Sequence, residues 1–214
     1  MYKNIGKPLI RNEDLRLVTG NGKFSDDNNI AEQAYAAMLR SPHAHAILKI
    51  IDTSVAASMP GVLLVLTGRD WQNKGLPPLQ NNPIPSAKTD PRLFGPSGKQ
   101  PNVREQFPLP LERIHLVGEA IAMVVADTAN QALEATEKIK VSYEVLEANA
   151  DSRKSKLSSQ LWKDLDQNLC VDSELGNLEK TKAIINEADH IVDLTVNVGR
   201  VTGVPMEPRS GLAI

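Results

Sequence analysis

The chain has 214 residues, 41% hydrophobic and 23% charged, with a formal net charge of −2 and a single cysteine, Cys170. This excludes a nucleic-acid binder with a clustered basic surface, a disulfide within the chain, and any iron–sulfur cluster or Cys-rich zinc site built from this chain alone. The longest apolar runs, Val62 to Leu66 and Ile121 to Ala126, are strand-sized and too short to span a membrane, and the first residues carry no apolar signal core. No membrane span and a cytoplasmic location are therefore expected.

In chain order, Gly20-Asn21-Gly22 predicts a turn, with Gly22 in a tight bend and Phe24 packed inward. It lacks the third glycine, the preceding strand and the following helix of a dinucleotide loop. Glu32 to Arg40 predicts a strand, turned at Ser41-Pro42. Ala46 to Ile51, a short Ala-rich stretch and Val62 to Leu66 read as strand, short helix, strand, with Asp52 or Thr53 as N-cap. From Pro77 to Pro110 the chain holds nine of its fourteen prolines. Proline removes amide donors and fixes φ, so an irregular excursion is expected, anchored by Leu93, Phe94 and Phe107.

Ile121 to Ala126 predicts a buried strand. Asp127-Thr128 then caps a helix running to Lys140, with Ala129, Ala132, Leu133, Thr136 and Ile139 on one face. Val141, Tyr143 and Val145 alternate with Ser142, Glu144 and Leu146, as in a strand with one buried face. This second unit shares the plan of the first, though the likeness is too weak for a repeat. Ala148 to Gln160 is a polar linker whose basic stretch, Arg153 to Lys156, reads as a solvated segment. Short turns are expected over Leu161 to Gly176, and a helix over Leu178 to Asp189 burying Leu178, Ala183, Ile184 and Ala188. Ile191 to Val198 alternates as a strand does. That strand and Leu212-Ala213-Ile214 have no partner in sequence, so the chain is expected to be the front part of something larger. By residue pattern alone this is an α+β domain followed by an unfinished second one.

Candidate chemistry is sparse. His43-Ala44-His45 puts two imidazoles on one face of an extended segment, but no third ligand completes a metal site, so a turn-to-strand role is expected. The amides at the start of the 128–140 helix face Asp127, which repels an anion; capping accounts for them. Glu119, with His115 nearby, reads as part of a structural turn. Glu207 and Arg209 are a candidate buried ion pair, which needs enclosure. No argument from its neighbours makes Cys170 reactive, and no nucleophile–base set assembles.

Five segments carry a resemblance: Arg11 to Asp27; Arg40 to Ala46; Pro60-Gly61-Val62 with Leu66-Thr67-Gly68; Val117 to Ala122; and Arg200 to Arg209. In order and spacing they resemble the N-terminal part of the molybdopterin-binding large subunit of the xanthine dehydrogenase/aldehyde oxidase family. The bacterial branch that includes carbon monoxide dehydrogenase large chains is the nearest in pattern. The resemblance implies an N-terminal segment at 1–19, an α/β-hammerhead domain at 20–147, a linker and connecting helix at 148–188, and the truncated start of a molybdopterin-binding domain at 189–214. For the complete enzyme it implies oxidation of an aldehyde, an N-heterocycle or CO with water as oxygen source, with iron–sulfur and FAD subunits and the remainder of the molybdenum subunit as partners.

The family's pterin-contacting loops and catalytic glutamate lie downstream of Met206 to Arg209. No position here matches them, so no catalytic, cofactor-binding or metal residue is carried over, and no cofactor is expected on this chain. His43 and His45 match a family motif that is not a metal site. Two other readings are a stand-alone interaction module docking on the iron–sulfur and flavin subunits, and an inactive truncated gene product.

Overall fold

The computed structural model describes residues 5–79, 101–207 and 209–214. They fall into two compact units, one formed by Ala34–Ile191 and the other by Met1–Gln33 with Val192–Ile214.

Among the described residues, the larger unit has six strands in two antiparallel three-stranded sheets. Strands β1 (Tyr35–Arg40), β3 (Val62–Thr67) and β5 (Ala120–Ala126) form one, in the order β1-β5-β3. Strands β2 (Ala46–Asp52), β4 (Arg113–Ile114) and β6 (Lys140–Val145) form the other, in the order β4-β2-β6. The two strand–helix–strand stretches anticipated from sequence interlock. The first runs β2, helix α2 (Ser54–Ala57), β3; the second runs β5, helix α4 (Ala129–Thr136), β6. β3 pairs with β5 and β2 with β6, so each stretch crosses from one sheet to the other beside its counterpart.

The core follows from this crossing. Ala56 on α2, Ala122 and Val124 on β5, Ala135 on α4 and Ile139 form one buried cluster. Ala46, Leu48, Ile114 and Ile121 form a second, flanked by Tyr143. Ile51 and Val141, opposite each other in the β2–β6 ladder, pack against both. Small residues matter here. Ala122, Ala132 and Ala135 have no exposed surface, which lets α4 lie close on the sheet. Thr128 caps α4, its hydroxyl accepting from the Gln131 amide at 3.2 Å. Helix α3 (Gly68–Asn73) starts where a Cβ on Gly68 would lie 2.3 Å from the Pro110 carbonyl oxygen. Only glycine tolerates that approach.

Several expectations shift. The strand over 32–40 starts at Tyr35, because Glu32 adopts φ 58°, outside the β region. The N-cap of α2 is Thr53 without a side-chain bond, while Asp52 accepts from the Ser54 amide at 3.0 Å and its hydroxyl. Helix α4 ends at Thr136, not Lys140. Its buried side chains are Ala132, Ala135 and Thr136, with Leu133 58% exposed and Ala129 exposed. Val145 is exposed at the end of β6. Helix α5 (Leu178–Asn186) forms, capped by the Asn177 side chain on the Lys180 amide, but buries nothing: Leu178, Ala183, Ile184 and Ala188 are all exposed. Its amphipathic face has no described neighbour to cover it. Leu93 and Phe94 lie outside the described residues; Phe107 is half-buried as an anchor should be.

The smaller unit buries none of its described residues. It holds helix α1 (Asp14–Val18), which the sequence reading missed, and a 3-10 turn at Ser25–Asp27. Phe24 is 46% exposed rather than packed inward. The positive φ of this turn region falls on Gly20, at 74°. Ile191 to Val198 is not a strand, since no described residue pairs with it and a strand exists only as part of a ladder. No helix among the described residues is long and apolar enough to cross a membrane.

Two stability outcomes are expected. Ile121→Ala, at a site with no exposed surface, lowers the unfolding free energy in a urea titration by about 2–5 kcal/mol, whereas Leu133→Ala changes it by about 0.5 kcal/mol or less. Gly68→Ala forces α3 away from Pro110 and costs about 1–3 kcal/mol, read as a lower thermal midpoint with unchanged far-ultraviolet dichroism.

Candidate functional site

The described residues concentrate titratable groups on one side of the larger unit, where β4 meets the 147–170 connection. His45, directly before β2, is 1% exposed. Its Nδ1 lies 2.8 Å from the Glu147 carbonyl oxygen, so Nδ1 carries the proton and donates. Nε2 is then the acceptor, facing an Arg113 guanidinium nitrogen at 3.3 Å. The same nitrogen donates to the Gln160 carbonyl at 3.1 Å. His45 and Arg113 thus fasten the 147–160 connection to β2 and β4. With both ring nitrogens committed and the side chain buried, His45 is a structural histidine. His43 turns elsewhere, its ring meeting Tyr143 edge-on at 4.8 Å. Burial there pushes the Tyr143 phenol above its ordinary range.

Glu119 sits in the turn before β5. One carboxylate oxygen accepts from the His115 amide at 2.7 Å, and the other lies 3.9 Å from His115 Nδ1. Gly118, at φ 81°, donates to the Ser41 carbonyl, and the Glu119 carbonyl accepts from the Ser41 amide, each at 2.8 Å. Arg40 donates to the Gly118 carbonyl at 2.9 Å. This is the structural turn read from sequence, and it couples the 115–119 loop to the end of β1. The His115 ring stacks on Trp162, with centroids 4.7 Å apart and planes 19° apart. Its Nε2 has no hydrogen-bond partner among the described residues. Arg104 pairs with Asp164. Arg104, Arg113, His115, Glu119 and Trp162 border an open cavity of about 780 Å³.

Trp162, Arg104 and Arg113 were not singled out from sequence. Their partners lie 47 or more residues away, or across an aromatic stack, and no local pattern announces such contacts. Asp127 is exposed beside the cap of α4, its amide donating to the Gly61 carbonyl at 2.9 Å. Glu207 is exposed, not buried, and accepts from the Ser25 amide at 3.2 Å, while Arg209 is also exposed; with solvent on both, no enclosed ion pair forms. Cys170 is exposed. Within the basic stretch, Arg153 reaches Asp151 and holds that carboxyl below its usual range.

Chemically, the arrangement is a set of braces. His45 and Glu119 serve backbone groups, Asp164 pairs with Arg104, and His115 stacks on Trp162. Among the described residues no group of three or more His, Cys, Asp or Glu could hold a metal ion. The cavity is lined by Arg104 and Glu119, by Trp162 and Phe107, and by the exposed Cys170.

Comparison with known proteins gives a consistent result. Residues 19–147 match the family described as aldehyde oxidase and xanthine dehydrogenase, a/b hammerhead domain. The chain is 33% identical to the nicotine 6-hydroxylase large subunit of Paenarthrobacter nicotinovorans over 212 residues, which is 98% of this chain and 24% of that protein. It is 33% identical to the carbon monoxide dehydrogenase large chain of Afipia carboxidovorans over 68% of this chain and 16% of the other. Among solved structures, the reconstituted CO dehydrogenase from Oligotropha carboxidovorans superposes with a TM-score of 0.64 at 27% identity, covering 85% of this chain and 22% of that one. The chain therefore spans about a quarter or less of the length of these relatives. The mixed helix-and-sheet fold and the 19–147 match place this chain in the aldehyde oxidase and xanthine dehydrogenase family, as its a/b hammerhead domain with flanking segments.

Proposed function

We propose that this chain is a non-catalytic N-terminal portion of a molybdenum hydroxylase large subunit, active only together with the molybdopterin-binding part. The observation that carries this is the pairing of an end-to-end match, 98% of the chain, with coverage of only 24% of the relative. The complete enzyme would oxidise an aldehyde, an N-heterocycle or CO with oxygen taken from water. Nicotine, named for the relative matched over nearly the whole chain, favours an N-heterocycle. The relatives' names, a large subunit and a large chain, denote parts of multi-chain proteins. Iron–sulfur and FAD subunits, and the remainder of the molybdenum subunit, are the proposed partners, in the cytoplasm.

In this reading the molybdenum cofactor belongs to the molybdopterin-binding part, while His45, Glu119 and Arg104 brace the fold through the Glu147 carbonyl, the His115 amide and Asp164. No chemical step is assigned to the described residues. Their role in this reading is to fold and to present surfaces. Residues 189–214 are proposed as the opening of the molybdopterin-binding domain. Val192, Leu194, Val196 and Val198 alternate as a strand does yet are 68% exposed or more, and a ladder supplied by further polypeptide would cover them.

The test is co-expression of this chain with the polypeptide that continues a relative's large subunit. The two are expected to co-purify with molybdenum, and the chain purified alone to contain far less than one molybdenum atom per molecule by plasma mass spectrometry. Stoichiometric molybdenum on the isolated chain, or failure of the two to associate, overturns the reading. In the complex the amides of 191–198 should become slow to exchange with deuterium; unchanged exchange there overturns their assignment to the second domain.

A further inference from the structure

Among the described residues, helix α4 and the first core cluster cover one side of the sheet β1-β5-β3. They lie against the side that carries Leu39, Val65, Ala122 and Val124. The ladder register puts Met38, Met123 and Leu66 in one row across the opposite side, and Ala36, Val125 and Leu64 in the next. All six are apolar. Met38 is 41% and Leu64 43% exposed, Ala36 is exposed, and the other three are half-buried. An antiparallel sheet with one solvated face normally shows polar residues there. Here the central strand β5 is apolar on both faces, as expected of a strand buried on both sides. The one charged residue at this edge, Arg40, is bound to the Gly118 carbonyl.

We propose that this open face is the docking surface for the polypeptide that, in the relatives, continues the large subunit, presenting an uncharged apolar helix or strand surface. This rests on the proposed function above. Two observations select the occupant. Some three-quarters of the relative's length lies outside the matched region. The face also offers six side chains, where a free-standing interface uses roughly 20–30 residues a side. So small a patch suits a contact between parts of one subunit, where other contacts share the work of holding the parts together. A second copy of this chain would gain too little from it.

Mild peroxide oxidation read by peptide mass spectrometry tests the face without mutation. Met38 in the isolated chain is expected to oxidise readily, and to be protected about tenfold in the co-expressed complex. Met38→Lys and Leu64→Lys should weaken association about 30-fold or more, while Leu133→Lys, on the exposed side of α4, leaves it unchanged. A complex in which Met38 stays reactive and the face variants bind normally overturns the docking face alone. Protection of Met38 in the isolated monomer, or a dimer that the face variants abolish, overturns it in favour of another occupant. No complex with the unaltered chain overturns the proposed function beneath it.

Discussion

The pairing of Ile51 with Val141 holds the larger unit together. These residues face each other in the β2–β6 ladder and pack against both buried clusters. β2 and β6 are also the strands at which each strand–helix–strand stretch enters or leaves the second sheet. The two sheets therefore share a core at the point where the chain crosses between them. Neither sheet has more than three strands, and neither would bury enough apolar area alone. Their stability is joint, carried by branched side chains whose volume suits the narrow space between sheet and helix.

The titratable cluster follows from the same arrangement. His45 directly precedes β2 and Arg113 begins β4, so the second sheet sets the positions of both. The 147–170 connection is anchored by Leu165, which is 1% exposed. It is held further by the His45 bond to Glu147, the Arg113 bond to Gln160, the Arg104–Asp164 pair and the His115–Trp162 stack. Buried polar groups persist when satisfied, and His45 and Arg113 are satisfied largely by backbone carbonyls.

The family assignment and the geometry lead in the same direction. Residues 19–147, which match the hammerhead family, hold nearly all of the core, and surplus apolar surface lies on the outer side of β1-β5-β3 and, outside that match, in the exposed stretch Val192 to Val198. An ordinary solvated sheet face would not carry two methionines and two leucines in adjacent rows. Surface of that kind belongs to a contact.

Much of the fold was legible in the residues. The alternation in β6, the unbroken apolar run of β5, the cap at Thr128 and the break at Pro60-Gly61 are local signals, because strand pleat, helix period and capping act over a few residues. Five ordered segments sufficed for the family. Where a pattern depends on a neighbour, sequence reading failed: the amphipathic α5 buries nothing, and the alternating 191–198 stretch is no strand without a second chain segment to pair with. The braces of the candidate site were invisible for the same reason, since a hydrogen bond between residues 45 and 147 leaves no mark near either. Local propensity and period thus determined which elements form and to which family they belong. Only the tertiary structure decided which faces are covered, which histidine is buried, and that His45 and Glu119 hold loops, because burial and pairing depend on contacts between distant parts of the chain.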